Sequence, residues 1–235
     1  MQTKSKHVLG GVIFFFGIFI GLALALALIW EHYEAVSYFF DGLTYPAFGG
    51  LRCPVLITRS EEGIIHAVFN NSTDQDDEAY YQMEIDGEVP RDVKSHFSLS
   101  PHTSETVQWT VDANDITLEF FIFAKLDVLP NAVHSTLEDT CGILVLNISN
   151  LTGDQIFWLM LILSLIGIPS GFALWKITNI STIGKALELQ RAMLTLAILV
   201  PLSLFFGFIG WWFIGIIVCA IIFLLIIAIL GLAIQ

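Results

Sequence analysis

The residues best placed to do chemistry are polar groups in the middle of a chain that is otherwise strongly apolar. Ser72-Thr73-Asp74-Gln75-Asp76-Asp77-Glu78 sets carboxylates at alternate positions, Asp74, Asp76 and Glu78, and hard oxygen ligands at that spacing can wrap a calcium ion. The EF-hand form of such a loop needs glycine at its sixth position and glutamate at its twelfth; counted from Asp74, these positions hold Ala79 and Ile85. The same run also reads as a solvated turn between two strands, its charges keeping a sheet edge soluble. Four N-x-Ser/Thr sequons begin at Asn70, Asn71, Asn147 and Asn150, in a region with six asparagines in all, and each is a candidate glycosylation site if that region is exported. The alternative is that Asn, Ser and Thr share the same turns.

His66, His96, His102 and His134 show no H-x-x-x-H or H-x-H spacing with carboxylates, so a zinc site would have to be assembled from distant strands. No G-x-S-x-G elbow and no P-loop is present. No catalytic, cofactor-binding or metal-binding residue is therefore assigned beyond the calcium candidate, and the chain is expected not to be an enzyme. Cys53 and Cys141 suit a disulfide if their compartment is oxidising. A bridge closing nearly ninety residues would stabilise the fold by about 4 kcal/mol on the chain-entropy argument. Two separate buried thiols are the alternative, and Cys219, inside an apolar run, reads as a small packing residue.

The elements that must position these groups follow from the distribution of charge. Val8–Trp30, Ile156–Trp175 and Ala192–Ile234 contain no Asp, Glu, Lys or Arg. A bilayer core about 30 Å thick takes about 20 residues of helix, so the first two are one span each. The third has twice that length and must turn back, with Gly207 and Gly210 as the expected turn and Trp211 and Trp212 at the headgroup level. Pro169 and Pro201 fall inside spans as kinks. The domain boundaries expected are 1–7 cytoplasmic, 8–30 first span, 31–50 connector, 51–153 exported domain, 154–175 second span, 176–191 cytoplasmic loop, 192–209 third span and 210–235 fourth span. The rival reading of 8–30 is a cleaved signal peptide, with Lys4 and Lys6 as its basic region and Ala23-Leu24-Ala25 or Ala25-Leu26-Ala27 as its cleavage site. Its apolar run is longer than the usual 7–15 residues.

Of the 22 acidic residues, 21 lie between Glu31 and Asp154, together with only five of the ten basic ones. The other five, Lys4, Lys6, Lys176, Lys185 and Arg191, flank the apolar runs, and such short basic segments stay cytoplasmic. The expected protein is thus a multi-pass protein of the plasma membrane with both termini inside. An acidic chain of this kind points away from nucleic acid.

Within the connector, Tyr33, Val36, Phe39, Phe40 and Leu43 recur at helical spacing, which fits a short helix on the membrane surface or an aromatic segment packed under the domain. From Leu51 to Asn150 the pattern becomes seven short β runs, near 55–58, 64–69, 80–85, 96–99, 105–111, 118–126 and 142–148. That count suggests an all-β sandwich of the immunoglobulin or fibronectin-III kind, as an architectural analogy.

The spans hold no charged group able to bind a driving ion, which argues against a transporter acting alone. Gly17-x-x-x-Gly21 and Gly167-x-x-x-Gly171 instead put paired glycines on helix faces, where another backbone can approach, from this chain or another subunit. The expected function is a non-catalytic, membrane-anchored binding or scaffolding protein with protein partners in the membrane or outside it. The alternative is an accessory subunit of a larger membrane enzyme, channel or export complex. The topology is directly testable. Protease outside intact cells should cut within 31–154 and spare 176–191, and a Thr182→Cys variant labelled by an impermeant reagent from outside would refute the arrangement.

Overall fold

The computed structural model describes residues 2–39, 48–129, 136–178 and 185–234. Four helices, α1 (Gln2–Tyr38), α2 (Gly153–Thr178), α3 (Lys185–Phe208) and α4 (Trp212–Ile234), are each long and apolar enough to cross a membrane. They outrun the charge-free segments, because Glu, His, Lys and Gln at their ends are compatible with a helix once a long apolar stretch has formed it. The connector is the clearest difference from expectation. Residues 31–38 are the last two turns of α1, not a separate surface helix, and Phe40 and Leu43 lie outside the described residues. The segment 176–191 is likewise partly helical, belonging to α2 through Thr178 and to α3 from Lys185.

Contacts divide the chain into two compact units, residues 1–30 with 157–235, and residues 31–156. In the helical unit, α1 and α2 meet backbone to backbone. A Cβ on Gly10 would lie 2.6 Å from Trp175 N, one on Gly17 2.8 Å from Ile168 N, and one on Gly171 2.3 Å from Phe14 N. On Gly21 it would meet Ser164 Oγ at 2.3 Å and Val200 at 2.6 Å. The contacts fall in steps of four and three along antiparallel helices, the repeat of a left-handed coiled-coil seam. Both expected glycine pairs therefore lie on one intramolecular seam, and Gly10 extends it. Pro169 and Pro201 are carried within continuous helices, and Ser170 Oγ donates to Ile166 O (2.6 Å) and Ser203 Oγ to Val200 O (2.8 Å) beside them.

The turn between α3 and α4 has a specific cap. Gly210 has φ +76, its N–H donates to Gly207 O (3.1 Å), and Trp211 N–H donates to Phe206 O (3.0 Å). This is the Schellman pair of bonds, with Trp211 stacked on Phe206 at 6.0 Å as its apolar contact. Gly210 alone makes the turn. Gly207 serves packing instead, since a Cβ there would fall 2.9 Å from Leu28 Cβ.

The described residues of 31–156 form eight strands: β1 (Leu51–Arg52), β2 (Leu56–Thr58), β3 (Gly63–Asn70), β4 (Asp77–Ile85), β5 (Arg91–Leu99), β6 (Ser104–Val111), β7 (Phe121–Leu129) and β8 (Leu137–Leu146). They form a three-stranded sheet, β1-β3-β6, and a five-stranded sheet, β2-β8-β7-β4-β5. All pairings are antiparallel except β2 with β8. Alternation in β3 and β4 turns Ile65, Ala67 and Phe69, and Tyr81, Met83 and Ile85, into one apolar core that both sheets share. Trp109 of β6 meets Tyr81 of β4 edge-on across it, at 5.7 Å.

The expected strand near 118–126 begins at Phe121, because Leu118 (φ 49) and Glu119 (φ 71) form a tight turn closed by the Thr117–Phe121 bonds. The first half of β5 went unread in the sequence, since an exposed edge strand of Arg91, Asp92, Lys94 and Ser95 carries no apolar alternation.

The last turns of α1 lie across the outer side of β8 and β7. Gly142 admits them, since a Cβ there would stand 2.5 Å from Glu31 O. Ala35 packs with Phe121 and Phe123, and Tyr38 stacks on Phe123 at 4.8 Å and donates its hydroxyl to Asp86. At the other exit from the sheets, Gly153 presses on β2, with a Cβ position 1.9 Å from Leu56 O, and its N–H donates to Glu61 Oε1 (2.7 Å).

The glycine seam makes a paired prediction. Gly171→Leu should sharply lower the yield of folded protein in detergent by forcing Phe14 away, whereas Gly231→Leu, with open space at its Cβ, should leave it near wild type. Equal yields, measured by size-exclusion chromatography, would refute the seam.

Candidate functional site

The Cys53–Cys141 disulfide is formed, joining the segment between β1 and β2 to β8 across 88 residues of sequence. Cys219 is free and buried in α4. The disulfide ties down the two short strands at one edge, which have too few ladder bonds to hold themselves.

The calcium candidates are not gathered together. Asp74 Oδ1 pairs with His102 Nε2 at 2.8 Å, both exposed, and Glu78 accepts the Tyr80 hydroxyl at 2.6 Å on the outer face of β4. Asp76 is exposed in the turn. Among the described residues no three His, Cys, Asp or Glu side chains converge as a metal-ion group. The physical reason is Asn71, which organises the turn from within. Its Nδ2 donates to the carbonyls of Gln75 (2.8 Å), Leu99 (3.0 Å) and Ser100 (3.2 Å), while Oδ1 accepts Thr73 N (2.9 Å) and Thr73 Oγ1 (2.7 Å). The loop closes on an amide, and the carboxylates point outward.

The same geometry separates the sequons. Asn71 is 3% exposed, and the nitrogen a glycan would take is bound by three carbonyls. Asn70, Asn147 and Asn150 are exposed, the first at the end of β3 and the others between β8 and α2. His66 and His96 lie on different sheets, and His134 falls outside the described residues.

Three polar groups that sequence reasoning did not single out carry much of the local architecture. Asp115 is buried and accepts Arg91 Nη2 (2.6 Å) and Asp112 N (2.9 Å), while Arg91 Nη2 also donates to Thr110 O (2.9 Å). This ties the start of β5 to the end of β6, across the open side of the two sheets. The Arg91 side chain is 40% exposed, so solvent screens the pair on one side, and its main contribution is to satisfy the buried Asp115 carboxylate. Glu31 is 3% exposed, with Oε1 at 3.5 Å from His32 Nδ1 and Oε2 without a partner. Asp139, in β8, accepts Gly49 N (3.1 Å) and Thr140 N (3.2 Å). Neither acid belongs to a recognisable motif, so only the fold reveals them.

The outer face of the five-stranded sheet divides in two. Over β7 and β8 the last turns of α1 cover Phe121 and Phe123. Over β4 and β5 the face is open, and Tyr80, Gln82 and Glu84 stand opposite His96, Lys94 and Asp92 in register. The Tyr80 ring stacks on His96 at 5.4 Å with planes 13° apart, and the Glu78 carboxylate raises the phenol above its ordinary value.

No family model matches this chain, and no curated protein does. Among solved structures, a β-glucosidase from Erythrobacter marinus shares 12% identity over 40% of this chain, with a TM-score of 0.28, and the match takes in 15% of that enzyme's chain. A likeness so slight says nothing about the fold or chemistry of this protein.

Asp139 makes a pH prediction. Burial raises its carboxyl above the ordinary value, against the opposing pull of the Leu51, Gly49 and Thr140 amides and of Arg52. The folded state therefore favours the protonated form. Its contribution to stability is full below the unfolded pKa and is lost as pH rises through the folded one. Asp139→Asn keeps an acceptor for Gly49 N and should remove that loss, so its melting temperature relative to wild type should climb as pH rises above the ordinary carboxylate range. A difference independent of pH would refute the assignment.

Proposed function

We propose that this chain is a multi-pass protein of the cell membrane, with both termini cytoplasmic, whose residues 51–153 form an exported immunoglobulin-like β-sandwich that binds a protein partner. The strand order supports the sandwich. Sheet β1-β3-β6 matches an A-B-E arrangement, and β2-β8-β7-β4-β5 matches A′-G-F-C-C′, with β2 parallel to β8 as A′ is to G. The departure is the disulfide, which joins the β1–β2 segment to β8, where antibody domains link strands B and F. The basic flanks of the apolar helices support the orientation.

The observation that carries the binding role is the open face of β4 and β5. A stacked Tyr80–His96 pair sits there among Glu78, Gln82, Glu84, Asp92 and Lys94, on strands held by the core beneath. An exposed tyrosine on a rigid sheet, ringed by charge, has the composition of an interface centre and its rim. The surrounding acidity favours a basic partner surface and fast, salt-sensitive association.

Mild detergent extraction followed by native mass measurement tests this reading. A partner should be retained by wild type and lost from Tyr80→Ala, with affinity lower by about 2 kcal/mol, or some thirtyfold, at unchanged melting temperature. Stoichiometric retention of larger membrane chains that survives Tyr80→Ala would instead make the protein an accessory subunit, held through its helices.

A further inference from the structure

The sheets are bound tightly to the start of α2. Thr152 Oγ1 accepts Gln155 N (3.3 Å) and Gln155 Oε1 accepts Thr152 N (3.2 Å), a capping box that starts the helix at Gly153. Gly153 is held in turn by Glu61 Oε1, which also accepts Thr58 N (2.7 Å), and by the closeness of Leu56 O. The charge-free run begins three residues later at Ile156, about 4.5 Å along the helix axis. If α2 spans a bilayer, this corner of the β unit lies at the headgroups.

The same corner exposes apolar side chains. Arg59 donates its amide to Leu146 O (3.1 Å) and Nη2 to Glu119 O (3.0 Å), and Val145 N donates to Phe120 O (2.8 Å). These bonds set the Leu118–Phe120 turn beside the end of β8, whose chain continues through Ile148 and Leu151 into Gly153. Leu118 is 55% exposed, Phe120 45%, and Ile148 and Leu151 42% each. The turn holds Leu118 and Glu119 at positive φ, a conformation that non-glycine residues rarely adopt, and it presents Leu118 and Phe120 outward.

We propose that Leu118, Phe120, Ile148 and Leu151 dip into the headgroup region of the bilayer, with Arg59 placed to meet lipid phosphate, so that the β unit rests on the membrane by this corner. The inference depends on the membrane reading above and adds a lipid contact to it. Large apolar side chains inserted about 5–10 Å at the headgroup boundary are shielded from water, and guanidinium is suited to phosphate. The β3–β4 turn is the natural contrast: Asp76 there is exposed and stands at the opposite end of β4 from Ile85, which pairs with Ala124 near the corner, roughly 30 Å along the strand.

The test uses the full chain with Cys219→Ala, carrying Leu118→Cys, Phe120→Cys, Ile148→Cys or Leu151→Cys labelled with an environment-sensitive fluorophore. The protein is reconstituted into phosphatidylcholine vesicles containing a lipid with a nitroxide near the headgroup. Asp76→Cys is the control away from the surface, and Ile162→Cys, exposed on α2, is the control within the span. A non-reducing peptide map confirms the native disulfide in each variant. The four corner probes should be quenched at least about twofold, and Asp76→Cys should not be. If Ile162→Cys is quenched while the corner probes are not, the lipid contact is refuted and the membrane reading stands. Equal quenching at Asp76→Cys also refutes the corner contact. No quenching at Ile162→Cys overturns both.

Discussion

The architecture of residues 31–156 depends on two places where backbone must touch backbone. At Gly142 the end of α1 crosses β8, and at Gly153 the start of α2 meets β2; at both, any side chain would collide with main-chain atoms of the neighbour. A rotamer cannot relieve such a clash, so the two exits of the chain are set by the absence of a Cβ. The seating of Phe121 and Phe123 beneath Ala35 follows from the first contact. The covered edge of β2 follows from the second. That covering matters, because β2 is a three-residue strand that would otherwise present unpaired main-chain groups to other chains.

Polar groups complete what the apolar core leaves open. The shared core accounts for the facing of the two sheets but not for the closing of their loops. Asn71 closes one end by satisfying three carbonyls with a single amide nitrogen, and Arg91 with Asp115 closes the other. Glu31 is buried and Asp139 half-buried, against the disfavour that burial imposes on a carboxylate. They sit where β8 receives the segment before β1 and the end of α1, so the acids mark the junctions of the unit rather than a reaction centre.

Binding and anchoring would then use different parts of one sheet. The β4–β5 face is open and carries the Tyr80–His96 stack, and the β7–β8 face is covered by the chain's own helix. Within the helical unit, the seam of Gly10, Gly17 and Gly21 against Gly171, Gly167 and Ser164 holds α1 and α2 together.

The sequence by itself determined the four apolar helices, the β character of the segment between the first and second, and the Cys53–Cys141 pair. These depend on local quantities: charge-free length, alternation, and two cysteines in one segment. It also showed the Gly17 and Gly167 pairs, but not what they touch, since a small residue names no partner. Tertiary structure alone decided that α1 continues to Tyr38, because the pattern of Tyr33, Val36 and Phe39 is the same for a helix on lipid and a helix on a sheet. It alone showed that Asn71 is a structural amide rather than an accessible sequon, and that Asp74, Asp76 and Glu78 do not converge. Asn71 and Asp74 each take a partner 28 positions away, Leu99 and His102, and no local pattern encodes such distant neighbours.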